Sequence, residues 1–472
     1  MAGEDVKGKG KAAAGTAGRR KLDRRDVLKG LSTVPALGLF GYAWQQQRQY
    51  QQAKLAEAAG PAAAPADLKV INVALLGAGA QGQVLTDAML RIAGLKFRAV
   101  CDILTEYNQK RVVNSMRKFG HEVNAYEDYR EMLDKEKELD AVVIATPDFW
   151  HAQHTIDCMK AGKHVNCEKE MSNTLEGCRK MVQAARETKK LLQIGHQRRS
   201  NPRYWHALKL LDKDKVCGRI THLMGQWNRA TPFDLGWPEG RELDAATLKK
   251  YGYDTMERFR NWRWYKQYAG GPIADLGSHQ IDVFNWFLKT PPAAVLASGW
   301  ADNYEGHEWY DNILTIYEYL VGGKKVRGFY QVLNTTSHGG FFETFMGTEG
   351  SLMVSEDPRK GFMFREPEAK RREWEDEASK VETMGRDAIE LKIGETLAPD
   401  GSKDPAGQKL LEESKKPPHQ LHLENFFNAI REGTPLSCPA DVAYETAVSV
   451  LKANEAVEAG KRVEFKAEDF KV

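Results

Sequence analysis

Cysteine pairs, strong net charge, internal repeats and long apolar runs are all missing from this chain of 472 residues. The six cysteines, Cys101, Cys158, Cys167, Cys178, Cys217 and Cys438, are scattered without a CxxC or zinc-like spacing. Neither a disulfide framework nor a structural metal is expected, and several fall in expected core elements, where cysteine acts as a small hydrophobe. The net charge is only +3, and residues 1–60 hold 11 Lys/Arg against 5 Asp/Glu, which leaves −3 for everything after them. A mildly acidic body lacks the electrostatic footprint of a nucleic-acid binder, so no nucleic-acid partner is expected. No apolar run is long enough for a comfortable membrane span. What is present, 42% hydrophobic and 28% charged residues, describes a soluble globular protein. Its length exceeds one ordinary core and predicts two domains plus extra segments.

The first 68 residues read as an address label. A basic region ends in Arg24-Arg25, followed by Asp26, Val27, Leu28, Lys29 and an apolar run of signal-peptide length. That order resembles a twin-arginine export signal. Such export carries folded proteins, often with a cofactor inside, so the expectation is a cofactor protein that uses the twin-arginine machinery and works in the periplasm. A Gln/Ala/Pro-rich linker follows, with Ala-rich triplets near 62–66 as candidate cleavage points. Uncut, the segment tethers the protein to the membrane, facing the periplasm; either way residues 1–68 lie outside the fold.

From Lys69 the pattern changes. "VINVALLGAGAQG" is a β-rich run ending in Gly77, Gly79 and Gly82, and a helix-like segment and a second apolar run ending in Asp102 follow. A G-x-G-x-x-G between strand and helix, with an acidic residue 20–25 positions later, is the fingerprint of a dinucleotide site. Gly77 allows the tight turn, Gly79 lets backbone approach a pyrophosphate, and Gly82 permits close helix–strand packing. Ala80 and Gln81, opening the helix, and Ile103, beside Asp102, are further candidates for cofactor contact. Asp102 would accept from ribose hydroxyls and repel a 2′-phosphate, which favours NAD over NADP, although Arg98 and Arg111 lie near in sequence. Strands and helices then alternate to about residue 195, which predicts a parallel, doubly wound sheet over 69–195.

Two stretches point at a reaction. In "ATPDFWHAQHTIDCMKAGKHVNCEKEMS", Thr146-Pro147 closes one strand, with His151 four residues later, and Glu168-Lys169 closes the next. Strand carboxyl ends are where ligands of open α/β sheets bind, so Lys169 faces the expected nicotinamide crevice. In "GGPIADLGSHQIDVFNWFL", Asp275 and His279 stand at i, i+4, which places both on one face of a regular helix. Asp282 follows and is read as satisfying a buried donor.

Together, the Thr-Pro-x-x-x-His step, "AGKHVNCEK" and "GGPIADLGSHQID" resemble the Gfo/Idh/MocA oxidoreductases over residues 69–465. The resemblance implies tightly bound NAD and a catalytic group of Lys169, Asp275 and His279. Thr146, Pro147, His151, Glu168 and Lys169 then line the cofactor. The family usually shows Glu-Lys-Pro where this chain has Glu168-Lys169-Glu170, so local geometry is expected to differ. In the implied chemistry His279 takes a hydroxyl proton near neutral pH, Lys169 stabilises the alkoxide, and Asp275 orients His279 or holds a substrate hydroxyl. Which of His279 and Lys169 is the base stays open.

Residues 196–472 are expected to form the substrate half, an α/β domain on a large, mostly antiparallel sheet, one face of which often forms a homo-oligomer contact (dimer or tetramer) in the family. The run Arg258, Arg260, Asn261, Trp262, Arg263, Trp264 and Tyr265 combines aromatics with polar groups suited to sugars, and Trp262 and Tyr265 are named as substrate contacts with Asp275 and His279. Arg198, Arg199 and Asn201, just after the first half, are similarly placed, Arg198 above all. Residues 355–416, rich in mixed charge, Pro and Gly, read as an exposed insertion. Two amphipathic helices after it close the fold.

Three functions compete. The first is an NAD-dependent dehydrogenase of a carbohydrate hydroxyl, C3 of a glucoside among the possibilities. The second is an NAD-dependent glycosidase that oxidises a sugar transiently and eliminates the aglycone; the retained Lys169 favours the dehydrogenase. A non-catalytic sugar- or nucleotide-binding protein is the third, and the intact Lys/Asp/His group argues against it.

Overall fold

The computed structural model describes residues 68–230, 234–376, 378–392 and 405–472, so the expected export signal and linker lie outside the described residues. Strands β1 (Ile71–Leu76), β2 (Leu95–Cys101), β3 (Asn124–Tyr126), β4 (Ala141–Ile144), β5 (His164–Cys167) and β6 (Leu192–Ile194) form one parallel sheet in the order β3-β2-β1-β4-β5-β6. β4, Ala-Val-Val-Ile, is buried at every position, as expected of a strand covered by helices on both faces. The order reverses between β1 and β4, which opens a crevice beyond their carboxyl ends. Gly77 follows β1, Thr146 follows β4, and Glu168-Lys169 follows β5.

The second half is built on ten strands: β7 (Ile220–Asn228), β8 (Ala294–Trp300), β9 (Asn312–Val321), β10 (Lys324–Leu333), β11 (Phe341–Gly347), β12 (Gly350–Val354), β13 (Phe362–Arg365), β14 (Lys380–Thr383), β15 (Arg386–Glu390) and β16 (Val463–Glu464). β7 and β10 pair in parallel, and every other paired neighbour is antiparallel. One face packs on helices Ser278–Leu288 and Ala440–Ala459. Three inward tyrosines fix those helices: Tyr319 donates to Asn285, Tyr317 to the Ser449 carbonyl, and Tyr330 pairs with Gln280. Buried tyrosines need such partners, and here they clamp the helix that carries His279. The opposite face exposes Leu296, Leu314, Ile316 and Leu320, with Trp300 75% exposed.

Two expectations change. The segment 355–416 is not simply an exposed insertion, because β13, β14 and β15 extend the large sheet and bury Met363, Ala388 and Ile389. Their outward residues are charged, as on a strand with one solvent face, and that charge masked the pairing. The boundary at 195/196 is also crossed. Helix Pro418–Glu432 sends Leu423, Phe426 and Phe427 into the core formed by β1, β2 and β4, so a helix far along the chain completes the first domain. All six cysteines are buried among apolar side chains.

Candidate active site

The glycine-rich turn divides into crowded and open positions. Gly77 has φ +96°, and a Cβ there would stand 2.6 Å from the Ala145 carbonyl carbon. At Gly82 a Cβ would lie 2.0 Å from the Gly77 carbonyl oxygen, so both positions demand glycine. Gly79 differs: a Cβ would meet no atom of the described residues within 4 Å. It caps helix Ala80–Met89 without any side-chain acceptor, leaving first-turn N–H groups and the positive end of the helix dipole toward that space. An open, uncapped helix start behind two crowded glycines fits a dinucleotide pyrophosphate. Ala80 is exposed and Gln81, Ile103, Thr146 and Pro147 are half-buried around this crevice. Gln81 donates to Glu168 (3.1 Å), which ties the turn to the end of β5.

Asp102 accepts from the backbone N–H groups of Ala78 (2.7 Å) and Leu104 (2.8 Å). Burial pushes its pKa up to about 6, against those two hydrogen bonds. The carboxylate thus braces the turn, and its remaining lone pairs are what a ribose would meet. Arg98 turns away to Glu136 and Glu138, and Arg111 lies over Tyr107.

At the far end of the crevice, Lys169 donates to the backbone carbonyl of Asp275 and to its carboxylate (3.3 Å). The Lys169–Glu170 peptide is cis although residue 170 is not proline. Arg263 (3.4 Å) and Arg229 (3.8 Å) face the same carboxylate. Burial opposes ionisation of Asp275, but Lys169, Arg263 and Arg229 outweigh it and hold the carboxyl well below its usual range. His279 is 7% exposed, packs 5.3 Å from the Trp227 ring, and has no hydrogen-bond partner for Nδ1 among the described residues. Burial, then the positive charges of Lys169 and Arg198, push its pKa well down, so the ring is neutral at neutral pH.

The expectation that Asp275 orients His279 is corrected. Residues 273–277 form a wide i→i+5 turn before the regular helix begins at Ser278, which offsets Asp275 from the His279 face. The Asp275 carboxylate therefore engages cations.

Other candidates are drawn elsewhere. His151 lies between the carbonyls of Thr146 (2.6 Å) and Glu170 (2.7 Å), stapling the ends of β4 and β5. Burial pushes its pKa down to about 4, so the neutral ring donates to one of them. Arg198 is 1% exposed and is committed to Glu343 and Glu356, beneath Trp227. Tyr265 is 4% exposed and donates to Glu257, with Arg258 over its ring. Trp262 is half-buried under Arg263 and packs on the cluster around Leu104 and Tyr253. Arg198 and Tyr265 thus meet partners that their position in sequence did not reveal. Asp282 is fully buried against Arg199, satisfying a buried donor as expected.

Three groups enter the site that the sequence reading did not assign. Asp148, inside the quoted "ATPDFWH", is 3% exposed and accepts from Gly270 N–H (3.4 Å); burial pushes it up to about 7 against the pull of Lys169. Arg229 at the end of β7 and Asn334 just past β10 line the cleft at Asp275. The signal for Asp148 was its place beside Thr146-Pro147; Arg229 and Asn334 reach the site only through strand pairing and leave no local mark.

The oxidoreductase family model for an NAD-binding Rossmann fold matches residues 71–196, and the model for that family's C-terminal α/β domain matches 244–465. The chain is 26% identical to a levoglucosan dehydrogenase of Pseudarthrobacter phenanthrenivorans over 223 residues, 46% of this chain and 51% of that one. It is 29% identical to a glycosyl hydrolase family 109 protein 1 of Shewanella sp. (strain MR-4) over 237 residues, 48% of this chain and 49% of that one. The chain spans about half the length of the curated relatives it matches. A solved levoglucosan dehydrogenase in complex with NADH and L-sorbose superposes with a TM-score of 0.63 at 20% identity, covering 85% of this chain and 100% of that one, which shows a shared fold. With both domain models matched in order around this glycine turn and lysine, the chain belongs to the Gfo/Idh/MocA oxidoreductase family, whose N-terminal domain binds NAD.

Proposed function

We propose that this chain is an NAD-dependent oxidoreductase that transfers hydride between a nicotinamide and a carbohydrate hydroxyl. One observation carries the reading: a lysine at the end of β5, held by Asp275, stands near enough to a buried histidine for its charge to help keep that ring neutral. His279, already in its accepting form, takes the hydroxyl proton at a ring nitrogen. Lys169 donates to the same oxygen as negative charge develops, and Asp275 positions Lys169. NAD, when bound, supplies the hydride acceptor. Asp102 favours NAD over NADP, because a 2′-phosphate would meet a carboxylate. Leu104 packs with Leu248, Tyr251, Tyr253 and Tyr268 of the second half, a cover over the Asp102 edge that favours tight cofactor retention.

The likeness to a glycosyl hydrolase family 109 protein supports a second reading, transient oxidation followed by aglycone elimination. Absorbance of reduced nicotinamide separates the two when a panel of sugars and aryl glycosides is added to the NAD-loaded protein. Reduced cofactor that accumulates supports the dehydrogenase. Aglycone release without accumulation replaces it with the glycosidase, and no NAD binding removes both.

Arg24-Arg25 and the apolar run after Lys29 support twin-arginine export to the periplasm, with the same segment as a tether if uncut. The open face of the large sheet supports a homo-oligomer, since Leu296, Ile316 and Phe329 stand side by side across β8, β9 and β10.

A further inference from the structure

The cleft at Asp275 carries more positive charge than hydride transfer requires. It is lined by Arg229, Arg263, Trp264, Pro272, Asp275 and Asn334. Three cations, Lys169, Arg229 and Arg263, stand against the single Asp275 carboxylate. Lys169 is only 12% exposed, whereas the Arg229 and Arg263 side chains keep 46% and 39% exposure. The lysine is thus turned inward to the reaction, and the guanidinium groups are turned toward the mouth. Other carboxyls stand near: Asp148, which burial pushes up to about 7, faces both Lys169 and Arg263, and Asp234 is held by His307 at 2.9 Å.

Asn334 adds a second observation. It is 1% exposed, its amide donates to the Asp311 carbonyl (2.9 Å), and its buried Oδ1 has no hydrogen-bond partner among the described residues. A buried acceptor without a donor is costly, and a sugar hydroxyl entering the cleft supplies one. Guanidinium forks match oxyanions in two-point geometry, and a neutral pyranose gives them nothing of comparable strength.

We infer that the substrate is an anionic sugar: one hydroxyl at Lys169 and His279, a carboxylate or phosphate on the same molecule at Arg263 and Arg229, and a further hydroxyl donating to Asn334. This rests on the proposed oxidoreductase and names its substrate class. Both arginines lie within 3.8 Å of the carboxylate that holds Lys169, so the anionic group and the reacting hydroxyl belong to one sugar unit.

The test uses the full chain loaded with NAD and reads tryptophan fluorescence, since Trp264 lines the cleft, on titration with glucose, glucuronate and glucose 6-phosphate. One or both anions should bind at least about tenfold more tightly than glucose, and which of them does so identifies the oxyanion. Arg263→Met should bring that ratio close to one, and Arg263→Lys should leave an intermediate ratio, because charge remains without the fork. Equal binding of glucose and both anions, an unchanged ratio in Arg263→Met, or no binding of any of them overturns the substrate class. Nicotinamide absorbance followed in the same titration separates the underlying reading. Selective anion binding with no reduction keeps the anion site and sinks hydride transfer, whereas equal reduction of glucose does the reverse.

Discussion

Asp275 and Asp282 stand seven positions apart in one short run, and the fold gives them opposite tasks. Asp282 is completely buried, takes three contacts of 2.9–3.0 Å from Arg199, and accepts a further hydrogen bond from Thr446 (3.0 Å). Asp275 keeps 17% exposure and meets three cations at 3.3–3.8 Å. The first pair is closed: Nε and Nη2 of Arg199 are given to a carboxylate with no exposure, and the arginine side chain itself keeps only 10%. The second is open, and the Arg229 and Arg263 side chains reach solvent. Charge in a cleft is therefore no sign of function by itself. What separates scaffold from site is whether the charges have already satisfied one another.

The largest effect that tests this contrast is on the closed pair. Asp282→Asn or Arg199→Met leaves an uncompensated buried partner and should lower the unfolding free energy by about 3–5 kcal/mol. Denaturant unfolding measures it, and the fraction that remains folded should bind NAD as the parent does. A loss below about 1 kcal/mol would mean that the pair behaves as a surface ion pair and that the contrast is false.

Lys169→Met attacks the open cluster. Turnover should fall by about 10²–10³-fold, the scale of removing one donor from a developing oxyanion, while the unfolding midpoint stays close to the parent's because Arg229 and Arg263 still hold Asp275. A large stability loss with unaltered turnover would reverse the roles assigned to the two carboxylates.

The glycine turn offers a third, smaller contrast between two positions. Gly82→Ala forces a methyl against the Gly77 carbonyl and should cost about 1–3 kcal/mol of stability. Gly79→Ala has room and should fold normally, yet weaken NAD binding, because its methyl occupies the space offered to the pyrophosphate. Unfolding curves and cofactor titrations on both variants distinguish a packing glycine from a binding glycine.

These contrasts also mark what the sequence could and could not disclose. The turn, the parallel sheet and Lys169 were legible because a strand, a glycine pattern and a strand end are local signals. The pairing of Arg198 with Glu343 and of Arg199 with Asp282 was not, since each joins residues 145 and 83 positions apart. The same non-local pairing brings Arg229 and Asn334 to the cleft and hid β13–β15 within a charged segment. The wide turn at 273–277 escaped because a regular helical period was assumed where the chain departs from it.

A pH-dependent effect concerns Glu170, next to Lys169. It is fully buried; one oxygen accepts from Met171 N–H (2.7 Å), and the other has no partner among the described residues. Burial pushes its pKa from 4.5 up to about 8, with the negative charge of Asp148 adding to the rise and Lys169 opposing it. The folded protein thus keeps a proton there that the unfolded chain releases once pH passes 4.5. Between 4.5 and about 8 the native state binds more protons, so this group's contribution to stability is fully present at low pH and is lost as pH rises, by about 1.4 kcal/mol per unit at most. Above about 8 both states are ionised and the slope ends. Glu170→Gln keeps the shape and removes the proton, so the difference between parent and variant should decline steadily across that window. Urea midpoints at several pH values give the difference directly. A flat difference would mean that Glu170 is ionised in the fold, and the charge balance around Lys169 would then be one negative charge richer than the open cluster requires.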